Sequence, residues 1–432
     1  MSAQPASERR RGWCPGVRRP MATGDGLLVR LHLLGGRLMA DQARTIAGAA
    51  REHGNGHLDI TARGNLQIRG VSDEAYPGLL ALLEREGLAE PEGDGPNRLT
   101  AVSPLAGLDP QDHGDPLALA EAIEEGAGHL DGLPAKFFVA IDGGGAMPLD
   151  DIGADLHVVA TSEDYAVAFG NATPGDLRWI GTASLARAPE AVLSILAGFA
   201  DMRLSGRTEA RRLRDLEPAL AEELIASAAL APGTSPGKRP STPRAGTFQA
   251  IGGPAVLLAV PFGRCGSAQL DQAAAWGERF GNGEIRLSFT RGILLPGIAG
   301  EHVPALMAEA SRAGFITDAG DPRLALIACP GKPDCASGLT PAPLDALRIA
   351  ETCGDVLAQG ASVHVSGCPK GCAHPGPADL TLVGRPDGRY DVVPHGSTRD
   401  VSSLHLSIDE IMTRLLPRTS ADLGRAFPER SR

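Results

Sequence analysis

The feature that most constrains this chain is that it repeats itself. Residues 54–71 read GNGHLDITARGNLQIRGV and residues 281–298 read GNGEIRLSFTRGILLPGI. Both open on Gly-Asn-Gly and close on Gly followed by a branched apolar residue, at an offset of 227. Each follows a helix-like stretch, Asp41 to His53 and Ser267 to Phe280, and each stretch follows an apolar strand, Leu27 to Leu34 and Ala255 to Pro261. A second pair agrees: Ala154-Asp155-Leu156 and Ala378-Asp379-Leu380 both lead alternating apolar strands, at an offset of 224. Two ordered matches at nearly one offset imply an ancient duplication.

Each half therefore reads as a strand–helix–strand unit followed by a larger mixed unit, which favours an α/β (α+β) class. The expected organisation is 1–90, 91–230, a Pro/Gly/Ser-rich linker at 231–246 (APGTSPGKRPSTPRAG), 247–318 and 319–432. Val192, Ile195, Leu196 and Phe199 have helical spacing, and a helix is also predicted over Arg207 to Ser227, with Leu213, Leu216, Leu220 and Leu224 packing into the core. The 224 offset places the strand Lys136 to Asp142 opposite Ala361 to Ser366, facing one central cavity. A ligand belongs at the seam between two such halves.

Bulk properties limit the rest. A net charge of −11 argues against a general nucleic-acid binder but permits a local basic cavity. No apolar run reaches membrane-spanning length. The basic arm Met1 to Arg19, with Arg9, Arg10 and Arg11, lacks a signal peptide's apolar stretch, so a cytoplasmic protein is expected. Gly143-Gly-Gly145 follows a strand without the spacing of a dinucleotide fingerprint, so reducing equivalents are expected from a separate donor.

The seven cysteines are unevenly placed. Cys14, Cys265 and Cys353 stand alone and read as small buried hydrophobes. Cys329 and Cys335 (CPGKPDC) and Cys368 and Cys372 (CPKGC) form C-x5-C and C-x3-C pairs. Two short loops, each giving two soft thiolates, suit an iron–sulfur cubane. Structural zinc prefers C-x2–4-C knuckles, so the spacing favours iron–sulfur, with zinc and a metal-free pair of loops as the other readings.

C-x5-C followed by C-x3-C resembles the sulfite and nitrite reductase family. The resemblance implies a duplicated fold of two ferredoxin-like half domains and two larger mixed α/β domains around a central cavity. It also implies a 4Fe-4S cluster on Cys329, Cys335, Cys368 and Cys372, with Cys372 bridging to sirohaem where sirohaem is bound. Within Asp59-Ile-Thr-Ala-Arg63-Gly-Asn65-Leu-Gln67, the residues Arg63, Asn65 and Gln67 match the segment that grips tetrapyrrole carboxylates. Arg30, Arg98 (in RLTAVSPLAG) and Lys136 (in Leu133-Pro-Ala-Lys136-Phe137) match active-site cations. Guanidinium groups suit that task because they bind carboxylates bidentately and stay charged.

The chain departs from the reductases at Phe138, where a second lysine stands; at His32, normally Arg or Lys; and at Lys370, often Asn. It is closer to the precorrin-3B synthase branch, through Gly12-Trp-Cys14-Pro-Gly16, Arg19-Pro-Met21, Gly24-Asp25-Gly26, Thr61 to Val71 and Ser366 to Pro375. That branch implies oxygen-dependent hydroxylation and lactone formation on precorrin-3A, in aerobic cobalamin biosynthesis. The tetrapyrrole is then substrate, dioxygen the co-substrate, and a separate NADH-linked protein the electron donor. A mononuclear non-haem iron is also implied; His32, His57, His364 and His374 are its candidate ligands. A sirohaem-dependent sulfite or nitrite reductase is the alternative, and a non-catalytic tetrapyrrole carrier a further one.

Overall fold

A computed structural model describes residues 14–90, 96, 98–173, 175–233, 235–237, 239–374, 376–416 and 423–427. Most of the basic N-terminal arm, with Gly12 and Trp13, and also Pro375, lie outside the described residues. The described residues fall into two compact units: those within 14–21, 27–258 and 265–309 form one, and those within 22–26, 259–264 and 310–427 the other.

The first repeat runs β1 (Met21–Thr23), β2 (Gly26–Leu31), β3 (Arg37–Met39), α1 (Ala40–His53), β4 (His57–Ile60), β5 (Leu66–Val71) and α2 (Tyr76–Arg85). It continues with β6 (Thr100–Val102), α3 (Pro116–Ala127), β7 (Val139–Asp142), β8 (Leu156–Ala160), β9 (Asp164–Gly170), β10 (Leu177–Ser184), α4 (Ala188–Leu204) and α5 (Pro218–Ser227). The second runs β11 (Gly246–Phe248), β12 (Ala255–Ala259), β13 (Arg264–Gly266), α6 (Ser267–Phe280), β14 (Glu284–Leu287), β15 (Gly292–Leu295) and α7 (Val303–Arg312). It ends with β16 (Leu326–Ala328), α8 (Ala342–Thr352), α9 (Gly354–Ala358), β17 (Val363–Ser366), β18 (Ala378–Gly384), β19 (Tyr390–Gly396), β20 (His405–Leu406), α10 (Ile408–Leu415) and α11 (Leu423–Ala426).

The half domains trade strands. One sheet has the order β1-β2-β5-β4-β13 and its counterpart the order β11-β12-β15-β14-β3, so each repeat completes the other's sheet. The exchange is reciprocal at single bonds: Ala40 N donates to Gly283 O (2.9 Å) and Ser267 N to Gly56 O (2.9 Å), the same pair of positions related by the 227 offset. Helices α1 and α6 pack antiparallel, and each buries residues at equivalent positions: Ala43, Ala47 and Ala50 on α1, and Leu270, Ala274 and Gly277 on α6. At the rim Arg44 pairs with Glu278 (2.6 Å) and Arg51 with Asp271, again one relation seen from both sides. Such reciprocity is that of an isologous twofold interface, here inside one chain. Exposed ion pairs stabilise little, so these pairs set register more than they add stability.

The Gly-Asn-Gly motif now has a cause. A Cβ at Gly54 would lie 2.5 Å from Arg69 O, and one at Gly281 would lie 2.6 Å from Pro296 O. Gly56 (φ 79°) and Gly283 (φ 81°) are left-handed, which glycine adopts without penalty. Between them Asn55 and Asn282 each accept from the N–H two residues on (3.1 and 3.0 Å), fixing the turn into the next strand.

The larger domains repeat as well. The orders β6-β7-β8-β9-β10 and β16-β17-β18-β19-β20 share two parallel pairs followed by two antiparallel ones. Val139 faces Leu156 as Val363 faces Leu380. The Ala-Asp-Leu motif accounts for that register: Asp155 Oδ2 accepts from Phe138 N (3.2 Å) and Asp379 Oδ2 from Ser362 N (2.8 Å). Apolar cores lie against each sheet, with Phe137, Val139, Leu156, Ile195 and Phe199 in one, and Val363, Leu380, Ile349 and Tyr390 in the other.

Three local results refine the sequence reading. The helix predicted from Arg207 begins only at Pro218, because a proline at N1 starts a helix but cannot sit within one; 213–215 is a single tight turn. The four leucines do pack into or against the core. The 231–246 segment is pinned to its own half, with Ala231 bridging Thr182 and Arg239 pairing with Asp142 (2.9 Å). Among the described residues no helix is long and apolar enough to cross a membrane.

The triglycine loop after β7 is held by acids: Asp142 accepts from Gly144 N (2.8 Å) and Asp109 from Ala146 N (2.6 Å). Burial, then the neighbouring Asp109, pushes the Asp112 carboxyl up to about 7. The fold therefore holds this proton more tightly than the unfolded chain does, so its contribution to stability falls as pH rises from about 4 to about 7. Asp112→Asn is expected to raise the melting temperature at pH 8 by a few degrees and to change nothing at pH 4, read by thermal unfolding at both values. Equal effects at both would mean that the carboxyl does not titrate there.

Candidate functional site

A pocket in the first unit is lined by Arg30, Arg63, Arg98, His32, Cys14 and Asn65, with Phe138 as its apolar wall. Its walls come from β2, from the turn between β4 and β5, and from the chain entering β6 and β7. In that turn Thr61 Oγ1 accepts from Asn65 N (3.1 Å) and Arg63 N (3.3 Å), so the tip is rigid and Arg63 is held on it. Arg30 and Gln67 face each other across β2 and β5. With its amide oxygen toward Arg30, Gln67 accepts from Arg30 Nε (2.7 Å) and Nη2 (2.5 Å). Arg98 donates to His32 O (3.2 Å) and stands 3.8 Å from Glu124, while its buried Nε has no protein partner.

The electrostatics suit an anion. Burial lowers Arg30, and burial takes Arg63 down to about 10, so both remain charged at neutral pH. His32 is driven to about 4, first by burial and then by Arg30, Arg98 and Arg63, against a bond to Pro15 O (2.9 Å). It is therefore a neutral ring among three cations. Arg63 lies 3.6 Å over the Phe138 ring, a cation–π contact that fixes one face of the guanidinium.

Of the expected tetrapyrrole residues, Arg30, Arg63, Asn65 and Arg98 line the pocket, and Gln67 stands behind Arg30. The Lys136 side chain is exposed and outside the lining; its carbonyl is what the site uses, accepting from Arg63 (3.2 Å). Cys14, expected to be a buried hydrophobe, is half-buried and lines the pocket, whereas Cys265 and Cys353 are buried. The signal was available in its Gly-Trp-Cys-Pro-Gly setting.

In the second unit Cys329, Cys335, Cys368 and Cys372 are all free thiols on two loops. Burial pushes the Cys329 thiol up. The N–H groups of Gly367 (3.0 Å) and Gly331 pull the other way, and the sulfurs of Cys368 and Cys335 add to the rise. Cys372 is an exposed residue whose thiol is raised first by desolvation and then by Cys368, Cys329 and, more weakly, Cys335, with Lys370 opposing. The four sulfurs thus sense one another. Among the described residues no three His, Cys, Asp or Glu groups gather round a single metal ion. Thiolates on a cubane each bind a separate iron, so a converging but open set of donors fits a cluster. His364 is fully buried with both ring nitrogens unpartnered and meets His374 edge-on at 5.6 Å in the second unit; in the first unit His57 is on β4 and His32 in the pocket.

The model of the nitrite/sulfite reductase ferredoxin-like half domain matches residues 19–86 and 252–313, one match in each repeat. A precorrin-3B synthase from a Sinorhizobium species is 33% identical over 92% of this chain and 85% of its own length. The chain belongs to the precorrin-3B synthase family, within the nitrite and sulfite reductases. A ferredoxin–nitrite reductase of Synechococcus elongatus is 27% identical, over 88% of this chain and 81% of its own. The solved structure of the Mycobacterium tuberculosis NirA protein superposes with a TM-score of 0.71 at 22% identity, covering 92% and 83%, and so shares the fold.

In this precorrin-3B synthase family member the Gly24 turn supports the cysteine loop directly. Ala336 N donates to Gly24 O (3.1 Å), and a Cβ at Gly24 would meet Ala336 N at 2.8 Å and Cys335 Sγ at 2.9 Å. Gly24→Ala is expected to at least halve the iron bound per chain after anaerobic reconstitution, with the circular dichroism unchanged. Undiminished iron would show that the turn can move away.

Proposed function

We propose that this chain is a precorrin-3B synthase: an oxygen-dependent enzyme that hydroxylates precorrin-3A and closes a lactone on it. The observation that carries the reading is the Arg63–Phe138 stack at the wall of a pocket holding Arg30 and Arg98. A small oxyanion is captured by converging cations. Here an apolar ring fills one such place and turns the neighbouring guanidinium into a flat, oriented fork. A fork of that kind suits a carboxylate arm on a large flat ligand.

The residues then divide the work. Arg30, Arg63 and Arg98 bind and orient the acetate and propionate arms, a proximity effect that fixes the reacting carbon. Gln67 orients Arg30, and Asn65 offers an uncharged amide beside them. His32, neutral at pH 7 and bonded through Nε2 to Pro15 O, leaves the cationic charge to the arginines. Cys329, Cys335, Cys368 and Cys372 would hold a 4Fe-4S cluster, whose chemistry is one-electron delivery from a separate reductase.

The test is protein purified without oxygen, with iron and sulfide counted and a pyridine-haemochrome spectrum taken. About four sulfides per chain, no haem signal and turnover of precorrin-3A are expected. A sirohaem signal together with nitrite or sulfite reduction would favour the reductase reading, and zinc without sulfide would overturn both. Cys335→Ser should abolish the visible absorbance of the cluster; an unchanged spectrum would remove Cys335 from the ligands. Arg63→Ala should weaken tetrapyrrole binding by roughly tenfold to a hundredfold, the loss of one charge-assisted pair, and leave iron content intact. Parallel loss of both would make Arg63 a structural residue.

A further inference from the structure

Arg212 belongs to no motif, yet it closes a ring around the pocket's wall. Its Nη1 donates to Lys136 O (2.8 Å) and to Asp155 Oδ2 (2.6 Å). The same carbonyl accepts from Arg63 Nη2 (3.2 Å), and the same carboxylate oxygen accepts from Phe138 N (3.2 Å). The Phe138 ring then lies against Arg63. Five groups, Arg212, Asp155, Phe138, Lys136 and Arg63, thus form one closed bracket.

We infer that Arg212 is a positioning residue that aims Arg63 into the pocket, a role resting on the reading of that pocket as a carboxylate site. Two guanidiniums on one carbonyl repel each other. Their approach is tolerated because the buried Asp155 carboxylate sits beside them, its side chain 1% exposed. Burial raises that carboxyl and Arg212 pulls it back toward the ionised form. Arg212 therefore favours the ionised acid, and the Oδ2 they share keeps the Phe138 N–H and the Lys136–Phe138 turn in place. Arg63 is then held on one face by the ring and on one edge by the carbonyl. Only its other edge is left to meet a ligand.

The duplication supplies a control within the same molecule. The counterpart acid, Asp379, accepts from Ser362 N (2.8 Å) and from Ser362 Oγ (2.7 Å). There the equivalent oxygen, Oδ2, closes on its own serine, while His395 Nδ1 stands 3.8 Å from the other oxygen, Oδ1. In the first half the equivalent residue is Phe138, which has no hydroxyl, and an arginine from a distant turn takes the vacant place. A purely structural clamp would have been served by the serine. The arginine adds a reach to the Lys136 carbonyl, and hence to Arg63.

The experiment uses the full chain with uroporphyrin III as the probe, its binding read by fluorescence, in wild type, Arg212→Met, Arg212→Lys, Arg63→Ala and the Arg212→Met/Arg63→Ala double variant. Arg212→Met should weaken binding about tenfold when Arg63 is present and less than about twofold when it is absent, because residues acting as one unit are not additive. Arg212→Lys, which keeps Asp155 paired but cannot span both acceptors, should fall between. Equal losses with and without Arg63 would overturn the proposal. Hydrogen exchange over 136–139 is the second readout: it should quicken in Arg212→Met, and an unchanged rate would overturn the proposal whatever the porphyrin does. Failure of the wild type to bind porphyrin would refute the carboxylate pocket alone, and the exchange result would still decide the bracket.

Discussion

The exchange of strands between the two half domains turns on a pair of hydrogen bonds, Ala40 N to Gly283 O and Ser267 N to Gly56 O. Each ties the first turn of one repeat's helix to the Gly-Asn-Gly turn of the other. Because the two bonds are the same bond under the 227 offset, fixing one fixes the exchange of β3 and β13, the antiparallel seating of α1 on α6 and the rim pairs of Arg44 and Arg51. The pocket inherits its rigidity from this arrangement. Arg30 and Gln67 stand on a sheet whose last strand comes from the far repeat, and Arg63 and Asn65 on a turn braced by Thr61. A site built on strands is more precise than one built on loops.

The two halves have used one inheritance differently. The turn that carries Arg63, with Gly64 at its left-handed position, has at its counterpart a left-handed Arg291 (φ 66°), and the acid that brackets Phe138 brackets Ser362 in the other half. The first half carries the arginine pocket with its aromatic wall. The second bears the thiols, where N–H groups and a glycine turn approach sulfur closely. Division of labour of this kind is possible because the register bonds are made by backbone and by one carboxylate, leaving neighbouring side chains to vary.

Much of this was legible in the sequence, for identifiable reasons. The duplication, the helices at 40–53 and 267–280 and the pairing of four cysteines are short-range patterns, and short-range patterns survive in one dimension. The basic residues were found because the resemblance pointed to them, and Arg30, Arg63 and Arg98 do meet in space. What could not be read is what depends on long separations. Strand exchange leaves no local signal, since a strand looks the same whichever sheet it joins. Arg212 follows an irregular segment in which a helix was expected, so no periodicity marks it. Lys136 contributes through its carbonyl, which every residue possesses, and no side-chain pattern announces that. Cys14 is a lone thiol whose surroundings are set by four separate segments.

The traded strands carry a consequence for how such a chain arose and how it must fold. Two half domains that complete each other across a twofold relation are the hallmark of a domain-swapped homodimer. The duplication and the traded strands fit an origin by fusion of two copies of one repeat. Fusion frees each copy from matching its twin, and here one half carries the arginine pocket while the other carries the four paired thiols. The inherited cost is kinetic. No half domain can bury its own sheet edge until a partner about half the chain away has been made, so the nucleus waits on contacts of long separation, and folding of this kind is slow. A nascent first repeat emerging from the ribosome has an open edge at β4, and that edge, rather than the finished protein, is where a chaperone would be needed.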